Sequence, residues 1–235
     1  MTKFFLAKSR SRISSFLILL VFQVLGSHVY ADAPSDTLLH IVQRCIDLDK
    51  PNYCGQCRLP QLTAGCPVAP TCKGTIDLWA GDEEYVAIRD IKMCGCPEDF
   101  VHGLVLPKAT ITGVEDPKRP DSIWLFSWQV GISKIPAPDL ALVVNPRLRR
   151  TQNQLHVHLV KLKPESRSLV SGGIVGETGD LSSVWRIAQK AADQVNMSDF
   201  GIMVFEKSRG NFGVVISSNS PESLYTQAVC RPEAR

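Results

Sequence analysis

Val143-Val144-Asn145-Pro146-Arg147-Leu148-Arg149-Arg150-Thr151-Gln152-Asn153-Gln154-Leu155-His156-Val157-His158-Leu159-Val160 joins an apolar run to an apolar alternation through an arginine-rich loop. Side chains alternate between the two faces of a strand. Leu155, Val157 and Leu159 are therefore expected in a core, with Gln154, His156 and His158 together on the opposite side. Residues 140–144 and 154–161 are natural hairpin partners on either side of Pro146, which places the histidines outward on a central strand.

Upstream, residues 84–89 and 100–106 carry strand-type composition and predict an antiparallel pair around a turn with Cys94-Gly95-Cys96. Residues 35–48 bring Leu38, Ile41, Val42, Cys45 and Ile46 to helical spacing behind a Ser/Asp start. The bulky run between Pro120 and Ser133 predicts a helix lying across a sheet, with Trp124 and Trp128 on one face as core. Downstream, Val184, Ile187, Ala188, Ala191 and Val195 are in phase for a second amphipathic helix over 181–195, and residues 201–205 and 212–216 for a closing hairpin. The expected class is α+β, an antiparallel sheet with packed helices.

The first 31 residues have the layout of an export signal: Lys3, Lys8, Arg10 and Arg12, an apolar stretch over 13–25, and Val29-Tyr30-Ala31 as cleavage site. The apolar stretch is shorter than the roughly 20 residues a spanning helix needs, so cleavage is favoured over a retained anchor. Removing this segment leaves 22 basic and 23 acidic residues, a net charge of −1, so the charge gives no argument for nucleic acid as a partner. Residues 32–235 are long enough for one substantial domain. All eight cysteines lie there, seven of them in a Cys-rich segment over about 45–96 whose residues 50–81 are rich in Cys, Pro and Gly and lack sustained periodicity; export favours disulfides, leaving connectivity open. Cys54 and Cys57 with Cys94 and Cys96 are the alternative, a four-thiolate zinc site.

Positions two apart on a strand are separated by roughly 6.6 Å, so neighbouring imidazoles can address different oxygens of one phosphate. A neutral histidine can attack phosphorus without a dedicated base, while a second donates to oxygen. Arg147, Arg149 and Arg150 add guanidinium forks, of which Arg150 is the preferred phosphate contact; Asn145, Gln152, Asn153 and Gln154 add neutral hydrogen-bonding groups. A zinc site built on the His-x-His pair is the rival, with His40 or His102 as a further ligand, His28 being in the signal.

This stretch, with the strands and aromatic helix around it and a cysteine near the C-terminus, resembles the histidine-triad superfamily, and within it the exported CDP-diacylglycerol pyrophosphatase family. The resemblance implies a histidine-triad-like fold with a Cys-rich N-terminal loop region over about 45–96. It makes His156 the nucleophile that becomes nucleotidylated, His158 the histidine that binds the reacting phosphate, and Asn145 a substrate contact. It implies no cofactor and no metal. The implied partner is CDP-diacylglycerol or a related nucleotide-activated lipid at a membrane surface, with location in the periplasm or on the outer face of the inner membrane. Gln154 stands where the family motif has its first histidine; it can still hydrogen-bond but cannot titrate. Alternatives are a hydrolase or transferase for another nucleotide diphosphate compound, or an exported nucleotide- or lipid-binding module without turnover.

Overall fold

Residues 35–44, 46, 48, 77–90, 93 and 96–230 are described by the computed structural model. Eight strands are β1 (Leu78–Gly81), β2 (Tyr85–Arg89), β3 (His102–Pro107), β4 (Leu140–Val144), β5 (Val157–Lys161), β6 (Ile174–Thr178), β7 (Gly201–Ser208) and β8 (Asn211–Ser217). They form one open sheet in the order β1-β2-β3-β5-β4-β7-β8-β6, every pair antiparallel. Five α-helices are described: α1 (Thr37–Arg44), α2 (Ile123–Ile132), α3 (Ser166–Gly172), α4 (Val184–Gln194) and α5 (Pro221–Tyr225). None of the described helices is long and apolar enough to cross a membrane.

The three expected strand pairs all form: β2 with β3, β4 with β5, and β7 with β8. Strand alternation then sorts side chains onto two faces. One face holds the main core, where Ala87, Val105, Leu142, Val157, Leu159, Val204 and Val214 meet α2 and α4. On α2, Trp124 is fully buried and its ring lies 4.7 Å from that of Trp185 on α4. Trp128 packs edge-on against Phe212, so this aromatic face is core, as its spacing predicts. A 3-10 turn over Leu181–Ser183, capped by Asp180 accepting from the Ser182 backbone N–H, leads into α4, which buries Val184, Trp185, Ala188, Ala191 and Ala192 along one stripe.

The other face carries two separate apolar clusters. Leu38, Ile41 and Val42 of α1 cover Val86, Ile88, Leu104 and Leu106. Farther along, Ala141, Val143, Val160, Met203, Phe205 and Val215 meet Val170 of α3 and Leu162, with Tyr225 of α5 packed against them. The strip between these clusters is polar, and it is where the histidines lie.

Several expectations need correction. The strand of the central motif begins at Val157, so of Gln154, His156 and His158 only the last is on it. His156 and His158 are not outward but buried, at 8% and 4% exposure, because that face of the sheet is also covered. The first helix occupies 37–44 rather than 35–48. Cys96 is bonded to Cys230, so it is not a thiolate available to a zinc site. The signal segment and Cys45, Cys54, Cys57, Cys66, Cys72 and Cys94 lie outside the described residues. Strands β1 and β6 and helices α3 and α5 had no counterpart in the sequence reading.

Candidate active site

Register brings distant polar residues together. His158 pairs with Leu104 across β3–β5, and His102, two positions back, is therefore its diagonal neighbour on the same face. Its Nε2 lies 3.0 Å from His158 Nδ1. Asp90 follows β2 directly, its backbone N–H donates to the His102 carbonyl, and its carboxylate is 3.5 Å from His102 Nε2. On the other flank His158 pairs with Val143 of β4, and Asn145 lies two residues farther on.

Glu222, in the first turn of α5, closes the group from a remote part of the chain. It accepts from Asn145 Nδ2 at 2.6 Å and lies 3.3 Å from His158 Nε2 and 3.5 Å from His102 Nε2. The Ser220 hydroxyl donates to Asn145 Oδ1 at 2.8 Å. Both carboxylates are buried, where a charge is tolerated only with hydrogen-bonding partners around it. Asp90, His102 and His158 also offer three donor atoms within 4.8 Å of one another, the one such group among the described residues. A metal there would be held by His158 with His102, not by the His156–His158 pair that the sequence suggested.

His156 sits at the mouth of the strand. Its ring is 4.8 Å from that of His158, edge to face. His156 Nδ1 is 2.7 Å from the Gln154 carbonyl oxygen. A carbonyl only accepts, so the ring proton is on Nδ1 and the lone pair of the neutral imidazole is on Nε2.

The remaining polar residues of the motif serve the scaffold. Gln154 is 1% exposed; its Nε2 donates to the carbonyls of Pro107 and Ala109, each at 2.8 Å, and its Oε1 accepts from the Ile111 N–H at 3.3 Å. Three hydrogen bonds of two polarities are more than a neutral imidazole can make, which is a physical reason for glutamine at this position. Gln152 Oε1 accepts from the Ser35 hydroxyl and the Leu38 N–H, and Asn153 Nδ2 donates to Asp36, so both tie the motif to the start of α1. Arg150 grips Glu115 with both terminal nitrogens, at 2.9 and 2.5 Å. Partial burial pushes the Glu115 carboxyl up, but the hydrogen bonds and charge of Arg150, helped by a backbone bond, hold it below the ordinary carboxylate range. Arg147 and Arg149 are exposed.

His156, His158 and Asn145 are thus brought together as the sequence suggests, while Arg150, Gln152, Asn153 and Gln154 frame them. Asp90 and Glu222 were missed. His102 was noticed only as a spare histidine, although a histidine inside the strand 100–106 is itself a polar interruption of an apolar alternation. For Glu222 the local signal was Ser220-Pro221-Glu222, a helix start with a capping serine, proline at the first position and an acid in the first turn.

The model of the CDP-diacylglycerol pyrophosphatase family matches residues 76–188, a span holding Asp90, His102, Asn145, His156 and His158 but not Glu222. A relative from Mycobacterium leprae (strain TN), described as a probable CDP-diacylglycerol pyrophosphatase, is 32% identical over an alignment covering 28% of this chain and 29% of the relative. The matched part is thus under a third of that relative's length. Over the stretch that builds the sheet centre and carries all three clustered histidines, this chain resembles the CDP-diacylglycerol pyrophosphatase family.

Proposed function

We propose that this protein hydrolyses the pyrophosphate bond of CDP-diacylglycerol to CMP and phosphatidate, with His156 as the nucleophile. The observation that carries the proposal is the hydrogen bond from His156 Nδ1 to the Gln154 carbonyl, which leaves the lone pair on Nε2. The family match over residues 76–188 supplies the substrate class.

In the first step Nε2 attacks the nucleotide α-phosphorus. A P–N bond forms, the bond from that phosphorus to the bridging oxygen breaks, and phosphatidate departs with the electron pair. In the second step water attacks the same phosphorus, the P–N bond breaks, the pair returns to His156, and CMP leaves with the water oxygen. Asn145 and His158 lie beside His156 in the same polar strip; Asn145 is assigned to the substrate, and His158 to holding the His156 ring at the reacting phosphate. Arg150, Gln152, Asn153 and Gln154 contribute by holding the arch that presents His156. The reaction takes place, in this reading, in an exported protein working at a membrane surface.

The test is CMP release from CDP-diacylglycerol in detergent micelles, with nucleotide-labelled substrate used to trap the intermediate. Label is expected on His156, and His156→Ala is expected to cut turnover by on the order of 10³-fold or more. Undiminished turnover by the alanine variant would overturn the mechanism.

A further inference from the structure

The structure assigns a positioning role to Glu222: we infer that this carboxylate, delivered from outside the family-matched span, sets the tautomer and orientation of His158 for the reaction proposed above, on which the inference rests.

The assignment follows from which atoms can donate. A carboxylate only accepts, so the group 2.6 Å from Glu222 Oε2 must be the amide nitrogen of Asn145. This agrees with the Ser220 hydroxyl donating to Asn145 Oδ1. His158 Nε2, 3.3 Å from the same carboxylate oxygen, then carries its proton and points it at Glu222. The neutral ring is left with its lone pair on Nδ1, which accepts from His102 Nε2 at 3.0 Å. His102 must therefore hold its own proton on Nε2, where Asp90 and Glu222 each lie 3.5 Å away. Asn145 Nδ2 also lies 3.3 Å from His158 Nε2 and could donate only to an unprotonated nitrogen; the carboxylate of Glu222, as the charged acceptor at the same distance, favours the proton on Nε2.

The anchorage of Glu222 suits such a role. α5 begins with the Ser220 side chain accepting from the Ser223 N–H, and the Thr226 hydroxyl donates to the Glu222 carbonyl at 2.6 Å. Beyond it, Leu162 pairs with Thr226, the Gln227 N–H donates to the Lys161 carbonyl, and Cys230 is bonded to Cys96. The end of β5, which carries His158, is thereby tied to the segment that carries Glu222. A histidine whose second nitrogen is held by a carboxylate keeps one tautomer and one ring plane, the logic by which an aspartate orients a catalytic histidine in hydrolytic triads. Here the oriented ring abuts His156 edge to face, so a rotation of His158 displaces the His156 ring at the phosphate.

Glu222→Gln and Glu222→Asp test this in the full-length protein. Because Glu222 acts through His158, Glu222→Gln is expected to lower kcat about 10- to 100-fold with KM within about twofold of wild type. Glu222→Asp, which keeps the charge on a shorter arm, should recover part of the rate. Histidine-labelled protein supplies a readout independent of turnover: long-range ¹H–¹⁵N spectra should place the His158 proton on Nε2 in wild type and show its ring signals displaced in Glu222→Gln. Thermal melts establish that both variants fold. A Glu222→Gln protein with kcat within twofold of wild type, or with unmoved His158 signals, overturns the inference. A wild-type protein that releases no CMP would instead defeat the functional proposal, while the ring spectra still decide the contact.

Discussion

Replacing Gln154 with histidine would place a third histidine beside His156 and His158 in the sequence, and it is expected to harm the protein. The glutamine donates to two backbone carbonyls, those of Pro107 and Ala109, and accepts from one backbone N–H, that of Ile111, at 1% exposure. A neutral imidazole has one N–H and one lone pair, so at least one carbonyl loses its partner. An imidazolium has two N–H groups but no acceptor for Ile111, and adds a buried charge. Each orphaned buried group costs about 1–3 kcal/mol. For a chain of this size a loss of about 2 kcal/mol corresponds to a Tm lowered by roughly 4–8 °C. Gln154→Glu, whose ionised side chain has no donor, leaves both carbonyls unpaired and should lose about twice as much. Differential scanning calorimetry gives the order wild type, histidine, glutamate, and CMP release measured alongside should show no gain for the histidine variant. A Gln154→His protein that melts with wild type, or turns over faster, would refute the view that this position holds the 107–111 segment rather than moves protons.

Two further outcomes follow from contacts around the site. The folded-state pKa of Glu115 is depressed by Arg150, so its contribution to stability is present above the ordinary carboxylate pKa and is lost as pH falls through the folded value. Glu115→Gln should therefore remove part of the acid sensitivity of the Tm, by no more than about 1 kcal/mol because the side chain is 36% exposed and screened. A Cβ added at Gly201 would lie 2.7 Å from the Val144 carbonyl oxygen and 2.7 Å from Pro146 Cδ. Backbone cannot swing aside as a flexible side chain can, so Gly201→Ala should cost about 1–3 kcal/mol in urea unfolding. It should also slow turnover by shifting the corner that carries Asn145; unchanged stability would contradict the packing described.

Legibility in the sequence followed the reach of the forces involved. β4, β5, β7 and α4 were visible because burial on a covered face imposes a period that a short window reveals. β6 was not: Ile174–Thr178 is an edge strand with two glycine-adjacent polar positions and half-exposed alternation, and its identity as a strand comes from pairing with β8. α3 and α5, of seven and five residues, are too short for periodicity to declare them. The expectation that the histidines face solvent failed for a related reason, since a strand's pattern reveals that a second face is polar but not that another segment will cover it.

The sequence by itself determined the α+β class, the hairpin at Asn145-Pro146, and the adjacency of His156 and His158, because each depends on neighbours within a few residues. Only the tertiary structure decided the rest. It put Gln154 into the scaffold, turned Arg150 toward Glu115, and brought Asp90, His102 and Glu222 to His158. Those partners lie 56 residues from His158 in the case of His102, and 77 from Asn145 in the case of Glu222. At such separations strand order and register choose the contacts, and local composition carries no trace of the choice.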